Sequence, residues 1–436
     1  MKASKLVLGA TLVLAHACTA DLQDSTSMSG SGSGQGPGSG GQIPRPGGGS
    51  GGSGTGGGSG GGTGVVDTRF NFRCQDETAE PASDLRRLTS EQIRNVYGDL
   101  LTDTVGNVND QRGADERLEL LPEDLASATI DYARMSQSVG QAHVDAYHGS
   151  AAAFASITTE TNARLSSLMG SCATNGNGGD DAACVRNFAE SFARKAWSKK
   201  PSTVEVDFLV NDVYAANGID NDAVRDLVTA ILMAPDFVYV VERGGQEVPG
   251  HPGAYQLTGY ELAKRLALHF WKSIPDEELL DAAEDGSLLT ESGYAAQVER
   301  LVQDPRTIRA IDDFFEQWLH LDRIPRLDAN IGRADFRAYA GEDLPGPELS
   351  DRLREDALDL VRHVVWADAA GTLADLFTLR ASFARTEDLA RIYGGVDLYQ
   401  DGAAPPELPA GERAGILTRP AMLVNDQATT RPSCGS

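Results

Sequence analysis

Between Gln256 and Leu321 the chain repeats one local pattern: a cap, an apolar stripe at helical spacing, then a stop. Thr258, three residues before Glu261, forms a capping box, in which the hydroxyl and the carboxylate each satisfy a free backbone N–H at a helix start. Leu262, Leu266 and Phe270 then fall on one helical face. Pro275 ends that helix, Asp276, Glu277 and Glu278 put negative charge at the positive end of the next, and Gly286 closes it. Asp304 and Pro305 read as the N-cap and first residue of another helix, with Ile308, Ile311, Phe315, Trp318 and Leu319 along its apolar side. Such segments bury their stripes against one another. The fold expected is therefore mainly α: helical subdomains packed in series, with at most a short strand around Phe237–Val241.

The same stretch carries a family pattern. Tyr260-Glu261-Leu262-Ala263, Arg265-Leu266, Trp271, Ser273, Pro275-Asp276, Leu279-Leu280 and Gly286 occur in the order of the motif YELA-R-L…W-S-PD-LL-AA-G-L. Leu257–Leu288 and Asp304–Leu319 thus resemble the central domain of an uncharacterised family of secreted planctomycete and myxobacterial proteins, the planctomycete cytochrome-associated domains. Three further pieces resemble its other domains in family order. Leu85–Leu101 has a second capping box, Thr89 with Gln92, and Ile93, Val96, Tyr97, Leu100 and Leu101 at helical spacing. Val185–Glu242 includes Phe192–Ala196, Lys199-Lys200-Pro201 and Leu232–Tyr239. Phe383–Gly394 and Glu412–Leu423 resemble the fourth domain. The resemblance implies an architecture of residues 85–170, 172–243, 256–378 and 383–424, the last short relative to the family. It implies no reaction.

Met1–Cys18 reads as a lipoprotein signal peptide. Lys2 and Lys5 precede Leu6–Leu14, an apolar run too short to span a bilayer, and Ala17 stands before Cys18, the expected lipidation site. No aspartate follows Cys18 directly, which points to the outer membrane or cell surface, where acyl chains on Cys18 would hold the protein. Residues 19–64 form a Gly/Ser-rich tether, densest over Ser29–Gly64. Such a segment cannot bury apolar surface, and as a flexible coil its typical reach is roughly 30–36 Å.

Net charge is −25. A chain this acidic repels nucleic acid, so no nucleic-acid partner is expected. Arg194, Lys195, Lys199 and Lys200 form a basic cluster, expected to pair with the protein's own carboxylates rather than hold an anion. In an extracytoplasmic chain Cys172 and Cys184, flanking a Gly/Asn/Asp loop, are expected to form a disulfide. Cys74 and Cys434 are a second candidate pair, bridged or free. Asp99 is expected to be an exposed helical aspartate.

No HExxH, CxxC or CxxCH motif occurs, and GxSxG occurs only inside the Gly/Ser tract, as Gly48–Gly52 and Gly57–Gly61, where no strand precedes it to form a nucleophile elbow. His143 and His148 are five apart, off the spacing that places two ligands on one helix face. No cofactor is expected. His269, His320 and His363 sit at the edges of apolar stripes. They are expected to be packed side chains, and would form a metal or acid–base site only if folding brought them together. Glu261, Asp276 and Glu316 are carboxylates of the kind that meet only in three dimensions. Two functional readings remain. The first is a tethered helical binding or scaffold module for an envelope protein or an extracellular polysaccharide. The second is a redox or hydrolytic component working with a separate c-type cytochrome or an unrecognised metal site.

Overall fold

The computed structural model describes residues 85–105, 120–122, 124, 138–341, 344–367 and 370–424. Cys18, Cys74, Cys434, the signal segment and the tether lie outside them. The described chain is mainly α-helical, as the stripes and caps predict. Its one sheet is two short antiparallel strands, β1 (Arg86–Arg87) and β2 (Tyr239–Val240), the latter within the stretch where a strand is expected.

The first half is built from α1 (Ser90–Val105), α2 (Gln141–Thr158), α3 (Asn162–Met169), α4 (Asp181–Trp197), α5 (Thr203–Phe208), α6 (Asn221–Met233) and the single-turn α7 (Pro235–Val238). Local chemistry sets their starts. Thr89 and Gln92 exchange hydrogen bonds at 3.0 Å before α1, Ser202 and Glu205 form a further capping box, and Asp220 accepts from the Ala223 N–H at 2.8 Å. After α5 the chain runs on as a π-helical turn over Leu209–Tyr214 before it leaves the helix at Ala215. α2 lies against α6, and with α1 and α4 they enclose one hydrophobic core. Tyr97, Phe154, Phe188 and Phe192 form an aromatic chain through it, with ring centroids 5.3 to 6.0 Å apart. Leu268 and Ile274 of the next segment also enter this core.

The second half continues with α8 (Gly259–Phe270), α9 (Glu277–Glu284), α10 (Glu291–Gln303), α11 (Thr307–Trp318), α12 (Ala334–Ala340), α13 (Leu349–Arg362), α14 (Asp375–Thr378), α15 (Glu387–Ile392) and α16 (Pro420–Val424). The Thr258–Glu261 capping box opens α8, and the Asp276 carboxylate caps α9 by accepting from Leu279 N–H at 3.0 Å. Gly259 is buried where α8 meets α9; a Cβ there would stand 2.4 Å from the Ala283 carbonyl oxygen. Trp271 is fully buried. Its indole N–H donates to Leu301 O at 3.2 Å, and the Arg306 guanidinium lies 3.4 Å above its ring.

Two expectations for α11 change. The helix begins at Thr307, two residues after Pro305, because the Asp304 carboxylate accepts from the Arg306 N–H and side chain and holds a turn there. Phe315 and Leu319 are buried, but Trp318 is 43% exposed, at the outer edge of the stripe. A second core joins α11 and α13 to the segments around Phe383, Tyr393 and Ile416. In its centre Arg419 and Asp356, both buried, pair at 2.9 Å, and the Tyr393 hydroxyl donates to the other oxygen of Asp356.

Candidate functional site

Where the end of α4, the α7–β2 turn and the start of α8 converge, they leave a cleft of about 150 Å³. Three sequence signals place its walls. α4 stops at Trp197, and Ser198 closes it in the left-handed conformation (φ 54°), its N–H returning to the carbonyls of Arg194 and Lys195. Pro235 starts the single turn of α7, which carries Asp236. The capping box fixes α8 so that Tyr260, Glu261 and Lys264 face the same space.

Most polar groups of the cleft are already engaged. Glu261 accepts from the N–H groups of Thr258, Arg243 and Gly244 at 2.6 to 3.0 Å and from the Thr258 hydroxyl at 3.0 Å. Burial alone would raise its pKa, but these donors hold it below the usual carboxylate range. Lys199 lies over the Trp197 ring and binds Glu205 at 2.7 Å and Asp236 at 3.0 Å. These carboxylates outweigh its burial and raise its pKa. The Tyr260 hydroxyl is turned to Arg194 and Glu284. Trp197 donates its indole N–H to Ile231 O at 2.9 Å.

Lys264 is different. Only 5% exposed, its ammonium donates to two main-chain carbonyls, Asp236 O and Tyr239 O, each at 2.9 Å. No carboxylate pairs with it among the described residues, and burial pushes its pKa down to about 8, with Asp236 pulling the other way. Ser198 is 3% exposed, and its hydroxyl finds no partner among the described residues.

The residues singled out in the sequence fall as follows. Cys172 and Cys184 form the expected disulfide, with Cα atoms 5.8 Å apart. The basic cluster pairs internally: Arg194 with Glu277, Asp281 and Glu284, Lys195 with Asp103, and Lys200 with Glu284. Asp99 is not an exposed aspartate. Its side chain is 13% exposed and accepts two hydrogen bonds from Arg309 at 2.9 and 3.0 Å, which fastens α1 to α11.

His269 is exposed, its ring edge-on to Phe270. His320 follows α11 in the left-handed conformation, and His363 packs its ring 5.3 Å from that of Phe383. Among the described residues no group of three or more His, Cys, Asp or Glu is placed to hold a metal ion. Glu261 and Asp276 cap two different helices, and Glu316 faces Arg354 across α11 and α13.

Sequence reasoning missed Lys264, Ser198 and Asp356. For Lys264 a signal was present: Ala267, Leu268 and Trp271 follow it at helical spacings, which places it on a second buried stripe of α8 beside the one through Leu266 and Phe270.

Residues 257–394 match the model of a family described as PSD4, protein of unknown function (DUF1592). That segment is therefore similar to the family suspected from the YELA motif, and it includes Lys264 and the α8 wall of the cleft. The resemblances of Leu85–Leu101, Val185–Glu242 and Glu412–Leu423 rest on the residues quoted for them alone. No curated protein and no solved structure matches the chain.

Proposed function

We propose that the protein is a lipid-anchored component of the outer membrane or cell surface. Its helical body acts as a tethered binding or scaffold module for an envelope protein or an extracellular polysaccharide. The observation that carries the compartment is the Cys172–Cys184 disulfide, a cross-link that persists in oxidising surroundings, in a chain that opens with a basic and apolar leader ending at Cys18. The Gly/Ser tract supplies reach. Among the described residues no helix is long and apolar enough to cross a membrane, so the anchor in this reading is the acyl chain on Cys18.

The test is metabolic labelling with an alkyne-tagged fatty acid in a Gram-negative host, comparing the full chain with Cys18→Ala. The expected result is a labelled chain in the outer-membrane fraction and an unlabelled, soluble variant. An unlabelled full chain would overturn the anchor. For the binding role, the full chain should co-sediment with insoluble envelope polysaccharide or be cross-linked to one defined envelope protein. Neither outcome in a host that carries the label would overturn the module.

A further inference from the structure

We infer that the cleft between α4 and α8 is a binding site for a small monocarboxylate, gripped by the Lys264 ammonium and the Ser198 hydroxyl. The argument is one of unused hydrogen-bond capacity. A lysine ammonium has three donors, and two of those on Lys264 go to Asp236 O and Tyr239 O. Ser198, buried in the same lining, brings a hydroxyl with no partner among the described residues. A buried hydroxyl without a partner is costly, and so is a buried ammonium whose bonded partners are main-chain carbonyls, with Asp236 and Glu242 acting on it only through space.

The acceptors of the cleft are committed. Glu261 is saturated by four donors, and Asp236 is paired with Lys199. What the cleft leaves unused is donor capacity, so the group that completes it accepts hydrogen bonds, and beside a buried ammonium a negative charge favours it. A carboxylate does both, and its bonds to an ammonium are charge-assisted.

Size and surroundings narrow the class. An apolar cavity of about 150 Å³ holds benzene; the walls here are mixed, with Trp197 and Val241 beside the polar groups, which suits a carboxylate on a short carbon skeleton. Asp236 lies in the same lining and disfavours a second negative charge, and the net charge of −25 disfavours a polyanion. The lowered pKa of Lys264 agrees with an ammonium that lacks its counter-ion. This inference is independent of the anchor at Cys18, and its test reads neither lipidation nor partner capture.

The test uses the full chain with ¹³Cε-labelled lysine, titrated with sodium acetate against sodium chloride at equal ionic strength near pH 7. The Lys264 resonance is assigned by its absence from Lys264→Met. Acetate should move that resonance saturably while chloride does not. Ser198→Ala removes a hydroxyl that has no partner among the described residues, and circular dichroism confirms that the variant keeps its helix content before the titration. It should weaken acetate by about tenfold, the worth of one hydrogen bond to a charged group. A Lys264 signal that acetate leaves unmoved, or that chloride moves equally, overturns the proposal, as does an unchanged acetate affinity in Ser198→Ala.

Discussion

Asp356→Ala should be among the most damaging single substitutions in the second half of the chain. The Asp356 side chain has no exposed surface, and that of Arg419 is 1% exposed. Asp356 accepts from Arg419 Nη1 at 2.9 Å, from the Tyr393 hydroxyl and from the Phe383 N–H at 3.3 Å. Removing it leaves the guanidinium with the Ala381 carbonyl and the Tyr393 hydroxyl as neutral partners, enclosed by the Phe383 and Tyr393 rings. Breaking a buried pair from one side costs about 3–5 kcal/mol, because the remaining charge has no counter-ion. Tyr393→Phe removes one hydrogen bond to a charged group and should cost about 1.5–3 kcal/mol. The double variant Asp356→Leu with Arg419→Met removes both charges together and should be less destabilised than Asp356→Ala. Urea unfolding followed by circular dichroism measures all three. A cost below about 1 kcal/mol for Asp356→Ala, or a double variant no more stable than Asp356→Ala, would refute the reading of a desolvated pair.

Lys264 gives a pH signature. Its folded pKa of about 8 lies below the ordinary lysine value, so the folded state releases the proton first. Between about pH 8 and 10.5 the unfolded chain binds more protons, and stability should rise with pH by on the order of 3 kcal/mol relative to Lys264→Met. Urea midpoints across that range check it, and a wild-type slope equal to the variant's would count against it. Gly415 has φ 61°, and a Cβ there would stand 2.2 Å from the Phe377 carbonyl carbon. Gly415→Ala should therefore lower stability by about 1–3 kcal/mol, read as a reduced Tm, and an unchanged Tm would show that the segment shifts freely. Reducing the Cys172–Cys184 bridge reopens a loop with a sequence separation of 12 and should cost roughly 3 kcal/mol. The check is unfolding with and without reductant, beside the Cys172→Ala, Cys184→Ala variant, whose loss of stability on reduction should be smaller by about that amount.

What could be read from the sequence was what is local. The capping boxes at Thr89 and Thr258 and the acidic helix start at Asp276 join residues three apart, and the disulfide spans one short loop, so spacing alone reveals them. Lys264 finds its carbonyl partner 28 residues back, and Asp356 finds Arg419 63 residues on, where no spacing rule reaches. Trp318 was misplaced for a related reason. A stripe says which residues share a face but not where the neighbouring element stops covering it, and α13 packs beside Phe315 and leaves Trp318 open. The left-handed turn at Ser198 also carries no signature, since serine is an ordinary residue at a helix end and only the fold shows which way it points.

The cations have a shared use that bears on what such a chain can bind. Arg309 with Asp99, and Lys272 with Glu91 and Asp313, join α1 to the helices around α11, while Arg194 joins α4 to α9 through three carboxylates. Each pair links segments far apart in sequence, so the basic residues act as fasteners between parts of the fold. Sixty-three acidic against 38 basic residues then leave the outer surface with the excess negative charge, which favours neutral or basic partners. In the site we propose, an anion would be accommodated where a cation is held in the fold with no carboxylate bonded to it among the described residues. Lys264 meets that condition because main-chain carbonyls, which carry partial rather than full charge, take the place that Glu277 or Asp281 takes for Arg194.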